Sequence, residues 1–255
     1  MFISAVILTH NNTSSIQKTL ESVSWSDEVI CIDDFSTDDT VQIAKKQKAF
    51  VFQRHLNEDF AGQRNYGLEK THGDWILFVD SDEIVSTALQ KEIRETISRQ
   101  GTGKEGIQGY FFKRDDMFLG KKLQNGETKN VRLLRLGRKN SGCWNRPIHE
   151  YWDIKGKTET LKTPLVHNAH INVAQFIADI NSYTSINAQY LYKNGERSNL
   201  FTIIAYPKIK FIQNYFLRLG FLDGTAGFIM AAMMSFHSFL TRAKLYLLTH
   251  AHNIH

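Results

Sequence analysis

The sequence predicts an α/β fold, a mixed and mostly parallel sheet flanked by helices, followed by a helical C-terminal extension. Three observations carry this. Over the first hundred residues, short and nearly continuous apolar runs alternate with helix-patterned stretches, the signature of a parallel sheet covered on both faces. Polar clusters stand at the ends of those runs, where ligands of such sheets bind. From about residue 201 the chain turns apolar, aromatic and basic.

The elements follow in order. Ile3–Thr9 is the first strand, ending at His10-Asn11-Asn12. The start, MFISAVILTHNN, has no basic stretch before its apolar run and no small-residue cleavage site, so it is expected as a buried strand and not a signal peptide. Thr13 or Ser14 can cap a helix running to about Ser24, and Glu28–Asp33 is the second strand. Ser36 or Thr37 can cap a helix through Gln47, and residues 49–53 make the third strand. Residues 61–72 are helical up to Gly73. Trp75–Asp80 is the fourth strand, and Thr87-x-x-Gln90 fits a capping box opening a helix over 87–99. Gly101, Gly103, Gly106 and Gly109 mark a loop. Beyond it, Tyr110–Lys113 and Val131–Arg135 are expected as antiparallel additions, and residues 172–193 as a helix. The tail is expected to be helical with breaks at Pro207, Gly220, Gly224 and Gly227, and Asp223-Gly224 as the turn between two helices. The domain division this suggests is an α/β domain over 1–170, a helical segment over 171–200 and an amphipathic tail over 201–255.

Composition narrows the classes. With 255 residues, 42% hydrophobic and 22% charged, the chain is long and apolar enough for a packed core and does not have the composition of a disordered protein. Two cysteines cannot build a disulfide framework; Cys31 and Cys143 sit in apolar or aromatic settings and are expected as buried thiols. The net charge of +5 is concentrated in the tail. From Phe201 onward Lys208, Lys210, Arg218, Arg242 and Lys244 face one acid, Asp223, which leaves the first two hundred residues near neutral. That distribution argues against a nucleic-acid-binding module, which spreads its cations over a groove-facing surface. It suits an anionic membrane surface. Gly224–Thr241 is free of Lys, Arg, Asp and Glu for 18 residues, but only 11 of these are clearly apolar. The tail is therefore expected to lie in the interface, with a hairpin packed on the α/β domain as the other reading.

Chemistry concentrates at the strand ends. WILFVDSDE (75–83) delivers Asp80 and Asp82 into one turn. Two nearby carboxylates repel each other and favour a cation beside them, and oxygen ligation suits Mg²⁺ or Mn²⁺ bridging to substrate phosphates. Capping of the turn is the plain alternative. EVICIDDFSTDD (28–39) ends a strand in acids, with Asp33 able to accept from a base or ribose. An EF-hand over this stretch fails, because Asp39 stands where glycine is needed and Lys45 where the bidentate glutamate is needed. FAGQRNYG (60–67) places Arg64 one strand ahead of the acids, as a phosphate partner or a solvated helix charge. His167 and His170, three apart, are weak candidates for a zinc pair on a helix. His250, His252 and His255 lie at the terminus.

Taken together and in order, AVILTHNN, CIDDFSTDDT, AGQRNYG and GDWILFVDSDE resemble the family 2 glycosyltransferases, inverting enzymes of the Rossmann-like GT-A fold, over roughly residues 2–100. The resemblance implies a UDP-sugar donor and a divalent metal. It also implies Asp33 and the Thr9 loop at the uracil or ribose, Arg64 by the nucleotide, Asp80 at the donor sugar or ribose, and Asp82 on the metal. Phe35 departs from the glycine more often found there. RPIHEYW (146–152), the 167–192 segment and GFLDGTAGFIMA (220–231) are similar to a narrower group, bacterial enzymes that extend the lipopolysaccharide inner core, such as β-1,4-glucosyltransferases. Glu150 in RPIHEYW is then the candidate general base, with His149 able to orient it, while a salt bridge from Glu150 to Arg146 is the plain reading. The implied acceptor is a lipid-linked saccharide, and the implied location is peripheral, on the cytoplasmic face of the bacterial inner membrane. A polyprenyl-phosphate glycosyltransferase would share every donor residue. A haloacid-dehalogenase-type phosphatase also ends a strand in D-x-D, but on its first strand, and with Thr or Val where Ile84 stands here.

Overall fold

The computed structural model of the protein describes residues 1–99, 106–168 and 173–250. In chain order the elements are β1 (Ile3–Thr9), α1 (Ile16–Val23), β2 (Glu28–Asp33), α2 (Thr40–Lys46), β3 (Phe50–Gln53), α3 (Phe60–Lys70), β4 (Trp75–Asp80), β5 (Glu83–Ile84), α4 (Thr87–Ser98), β6 (Gly109–Phe118), β7 (Lys121–Lys122), β8 (Arg132–Arg138), β9 (Gly142–Asn145), β10 (Tyr151–Ile154), β11 (Thr158–Thr160), β12 (Leu165–His167), α5 (Val173–Lys193), α6 (Leu200–Ile212) and α7 (Gly224–His250). They fall into two compact units, Met1–Asp115 with Arg132–His167, and Asp116–Val131 with Asn168–His255. The 171–200 segment and the tail thus belong to one unit, which also takes in a loop from the middle of the chain.

The first unit holds a mixed sheet in the order β3-β2-β1-β4-β8-β6-β12-β5, with β11 beside β6. β1 pairs in parallel with β2 and β4, and β2 with β3, whereas β8 runs antiparallel to both β4 and β6. The apolar strand runs are explained by burial on two faces. Ala5, Ile7, Cys31, Trp75, Leu77 and Val79 pack on one side with α1 and α4. Val6, Ile30, Ile32, Ile76 and Phe78 pack on the other with Ala61 of α3 and with Trp144 and Trp152. Alternate residues of one strand therefore serve two cores. Gly67 lets α3 lie close on β1: a Cβ there would stand 2.7 Å from Val6 Cγ1. Trp144 and Trp152 oppose each other across the β9–β10 hairpin and stack at 5.4 Å.

The helix starts differ from the sequence expectation. α1 begins after Ser15 with no side-chain cap, and Thr13 bonds Asp38 instead. α2 begins at Thr40, because the Ser36 hydroxyl is donated to Asp33 and the Thr37 amide to Asn11. α4 is capped by Ser86, whose Oγ accepts from the Leu89 amide, not through Thr87 and Gln90. Cys31 is buried, but Cys143 is exposed, because the alternation of β9 turns Trp144 inward. The glycine loop at 101–105 lies outside the described residues.

In the second unit α5 and α7 share a core of Phe176, Ile180, Ala226 and Met233 with Phe118 and Leu123. Lys244 of α7 donates to Asn181, Thr184 and Ser185 of α5, and burial holds its pKa below the ordinary lysine value. The loop 124–127 is pinned on the tail. Asp223 accepts from the Gln124 and Asn125 amides, and Glu127 accepts from Lys210 and Asn214. Pro207 sits inside α6 and Gly227 inside α7, so neither breaks its helix. α6 runs on as a π-helical turn over Gln213–Leu217, and the chain turns through residues 218–223, with Gly224 opening α7 as expected. Among the described residues no single helix is long and apolar enough to cross a membrane.

Candidate active site

The polar clusters lie at the C-terminal ends of β1, β2 and β4, as the alternation predicts. At β1 the Thr9 hydroxyl bonds Asn12 Oδ1 at 3.0 Å and the Thr9 carbonyl accepts from the Asp34 amide, so Thr9 shapes the loop. Asp33 is fully buried. Its carboxylate accepts from the Ser36 amide and hydroxyl and from Gln53 Nε2, which makes it a fastener of the β2 turn. The neighbouring Asp34 keeps 24% of its side chain exposed, accepts from the Leu56 amide and has His55 at 3.6 Å. Phe35 adopts φ +50, a left-handed conformation that glycine enters freely and a bulky residue does not. Its ring stacks on His55 at 4.0 Å, which helps offset that strain.

At β4 the two acids have different surroundings. Asp80 is gripped by two guanidiniums. Arg64 Nη2 donates to its Oδ1 at 2.8 Å, and Arg135 of β8 bonds both oxygens. Burial would raise the Asp80 pKa; the charges of Arg135 and then Arg64 outweigh it and hold the carboxyl well below the usual carboxylate range. Glu83, with no exposed surface, accepts the Asp80 amide at 2.9 Å and lies 3.4 Å from Arg135 Nη2. Burial raises its pKa, and the adjacent charge of Asp80 adds to that, against the pull of Arg135. Asp82 is outside this lattice and more open. Its Oδ2 lies 3.4 Å from Nε2 of His167, which β12 brings beside the turn by pairing His167 with Glu83. His167 is therefore on a strand, not on a helix with His170; His170, like His252 and His255, lies outside the described residues.

Arg64 extends the lattice to Glu150. Its Nε donates to Glu150 Oε1 at 2.8 Å, so Arg64, not Arg146, is the ion-pair partner of Glu150. The guanidinium is 4.7 Å from the Trp144 ring, and the Phe60 amide bonds the Pro147 carbonyl, tying α3 to the loop that carries Glu150. Arg146 and His149 both take positive φ there, and His149 is exposed. Glu150 Oε2 accepts no hydrogen bond among the described residues. The site is thus a chain of charges, Glu150–Arg64–Asp80–Arg135–Glu83, beside the Asp82–His167 pair. Arg135 and Glu83 were not among the residues singled out from the sequence. Glu83 stood in the quoted DSDE turn, but Arg135 lies in RLLRLGR, whose spacing carries no link to β4.

This lattice makes a prediction. Asp80→Asn is expected to cost about 2–3 kcal/mol at pH 7, because it leaves Arg135 and Arg64 short of a buried counter-charge. The stability from a lowered carboxyl is fully present above the unfolded value of about 3.9 and is lost as pH falls through the still lower folded value. The gap between wild type and variant should therefore close below about pH 4. Urea unfolding at pH 7 and in acid checks this.

Residues 4–151 match the family described as glycosyl transferase family 2. The lipopolysaccharide core biosynthesis glycosyltransferase LpsC of Rhizobium meliloti is 26% identical over 251 residues, covering 96% of this chain and 92% of LpsC. An uncharacterized glycosyltransferase of Rickettsia prowazekii is 28% identical over 254 residues, covering 95% of this chain and 86% of its own. In fold the chain is similar to Staphylococcus aureus TarS 1-349 in complex with UDP-GlcNAc, with TM-score 0.51 and 14% identity, covering 98% of this chain and 92% of that one. It is also similar to glucosyl-3-phosphoglycerate synthase from Mycobacterium tuberculosis in complex with Mn²⁺, UDP and its product, with TM-score 0.50 and 16% identity, covering 78% and 81%. A parallel β1–β4 core with acids at its strand ends, a matched region that takes in Asp33, Arg64, Asp82 and Glu150, and relatives of this kind lead to one conclusion: the chain belongs to glycosyl transferase family 2, and it is a glycosyltransferase of the GT-A fold.

Proposed function

We propose that the protein transfers a hexose, glucose being the first candidate, from a UDP-sugar to a hydroxyl of a lipid-linked saccharide of the lipopolysaccharide-core class, with inversion at the anomeric carbon. The observation that carries this reading is the Glu150–Arg64–Asp80 ion-pair chain at the end of β4, with Asp82 open beside it. The lipid-linked core acceptor is suggested by the similarity to LpsC over nearly the whole chain.

The fit of a divalent metal can be judged on the donors present. Asp80 has both oxygens taken by arginines, so it is poorly placed as a ligand. Asp82 and His167 offer one carboxylate oxygen and one imidazole nitrogen 3.4 Å apart. Among the described residues no group of three or more such side chains assembles, so the protein would supply two ligands and leave the rest to the diphosphate and water. That suits Mg²⁺ or Mn²⁺, which when bound would offset charge on the departing diphosphate.

The chain's own residues do the rest. Glu150 accepts the proton of the attacking hydroxyl on Oε2, the oxygen without a hydrogen bond among the described residues, while Arg64 holds Oε1. The acceptor oxygen bonds to the anomeric carbon on the face opposite the breaking bond to UDP, so one carboxylate suffices. Arg64 and Asp80 position Glu150, and Arg135 and Glu83 keep Asp80 in place. Asp34, with the Phe35–His55 stack, is the exposed part of the β2 loop, and we assign nucleotide contacts to it, with Asp33 and Thr9 holding it in shape.

The test is thermal unfolding with UDP. At a hundredfold excess over Kd, UDP with Mn²⁺ should raise the melting temperature by about 5 °C or more. Without metal the shift should be small, and Asp82→Ala should abolish the metal-dependent part. Indifference to UDP with Mn²⁺ and with Mg²⁺ alike, or an unchanged shift in Asp82→Ala, would overturn the reading.

A further inference from the structure

α6 has no buried residue, although it is strongly apolar. Leu200, Phe201, Ile209 and Ile212 are about half to three-quarters exposed. The turn that follows continues this surface with Phe216, Leu217, Leu219, Phe221 and Leu222, all more than 40% exposed. A helix that is apolar all round is normally covered, by protein or by lipid. One side of α6 packs on α7, where the Ser235 hydroxyl is donated to the Pro207 carbonyl and Arg242 lies over the Tyr206 ring, but the described residues leave the side chains named above uncovered.

We propose that residues 200–222 seat in the interfacial layer of an anionic lipid bilayer, lying in its plane without crossing it. Charge selects the partner. The charged residues in this stretch are Lys208, Lys210 and Arg218, with no acid among them. Lys210 is paired with Glu127, whereas Lys208 and Arg218 are exposed. An apolar band with a cationic fringe matches an acidic headgroup layer over hydrocarbon. A second copy of the chain would bring the same cations onto each other. Aromatic residues at the turn, Tyr215, Phe216 and Phe221, are of the kind that partitions to that layer.

Length and shape favour lying over spanning. The helix from Leu200 runs on through the π-helical turn Gln213–Leu217, and these 18 residues reach at most about 27 Å, short of a hydrocarbon core of about 30 Å. The axis then bends by 69° into the next helix. α7 is occupied in the core of its unit through Ala226, Ala231, Met233 and Leu245. The turn is also built to hold its form. Leu219 takes φ +58, and Asp223, Glu127 and Asn214 lock the turn to the loop 124–127. The apolar tip is therefore pre-shaped, so little ordering cost falls on binding.

The inference does not depend on the transfer reaction, and vesicle flotation of the full chain tests it separately. Wild type should float with phosphatidylethanolamine–phosphatidylglycerol vesicles and much less with phosphatidylcholine, and added NaCl should weaken the former. Leu217→Asp with Leu222→Asp should lower binding at least about tenfold. Lys208→Gln and Arg218→Gln should each lower binding to the anionic vesicles about fivefold. Circular dichroism melts show whether the variants keep their fold; if the leucine pair unfolds, the charge variants decide. Wild type remaining unbound to every vesicle would overturn the proposal, as would charge variants floating like wild type. So would a concentration-dependent dimer that the leucine variants dissociate in the absence of any vesicle binding.

Discussion

Glu150→Gln is expected to slow sugar transfer by about 10²–10⁴-fold while leaving metal-dependent UDP binding near the wild-type level. The substitution keeps the shape of the side chain, and its carbonyl oxygen can still accept from Arg64 Nε, which now bonds Glu150 Oε1 at 2.8 Å. What it removes is a carboxylate able to take a proton. The nucleotide-side groups, the β2 loop and Asp82, are on other elements and keep their own hydrogen bonds. The separation of the two readouts makes the result diagnostic. A loss of UDP binding equal to the loss of rate would mean that Glu150 is a structural anchor for the donor site, and an unchanged rate would place the base elsewhere. Single-turnover transfer measured beside calorimetric titration with UDP and Mn²⁺ gives both numbers.

Arg64→Met is the second large effect. It should lower stability by about 3–5 kcal/mol and abolish transfer. Arg64 is 3% exposed and bonds two carboxylates on different segments, Asp80 at the end of β4 and Glu150 after β9. Methionine fills the space beside Trp144 and Phe78, so the loss is of charge and not of volume. Two acids would then face each other with Arg135 alone to compensate, and Asp80 already draws on Arg135. Arg64→Lys should not rescue activity. The two bonds leave from Nε and Nη2 of one planar group, and an ammonium offers a single point charge. Urea unfolding separates the contributions: an Arg64→Met–Glu150→Gln double variant should recover part of the lost stability, because one of the stranded charges is gone.

Much of this architecture was legible because strand periodicity and burial act locally. The runs from Ile3 to Asp80 are apolar at nearly every position, which fits a sheet with a core on each face, and the strand-end acids follow from that topology. Glu150 and Asp82 could be named from motifs. The environment that distinguishes Asp80 from Asp82 could not, because it is set by Arg135, 55 residues along the chain, through an antiparallel register that a single sequence does not encode. The same holds for His167, whose place beside Asp82 is set by the β12–β5 pairing. Helix starts were misplaced where a hydroxyl had a tertiary partner to satisfy: Ser36 closes the Asp33 turn and Thr40 accepts from the Asn12 amide. Phe35 shows the reverse case, a residue unsuited to its left-handed backbone, held there with its ring stacked on His55.

The most direct test of the account is an anomalous-difference map from crystals of the protein soaked with UDP and Mn²⁺. The expected result is one strong manganese peak within bonding distance of Asp82 and His167, in contact with the diphosphate, with Asp80 still held by Arg64 and Arg135 and Glu150 across the site. A peak ligated by Asp80 instead, or a nucleotide bound away from the ends of β1, β2 and β4, would contradict it.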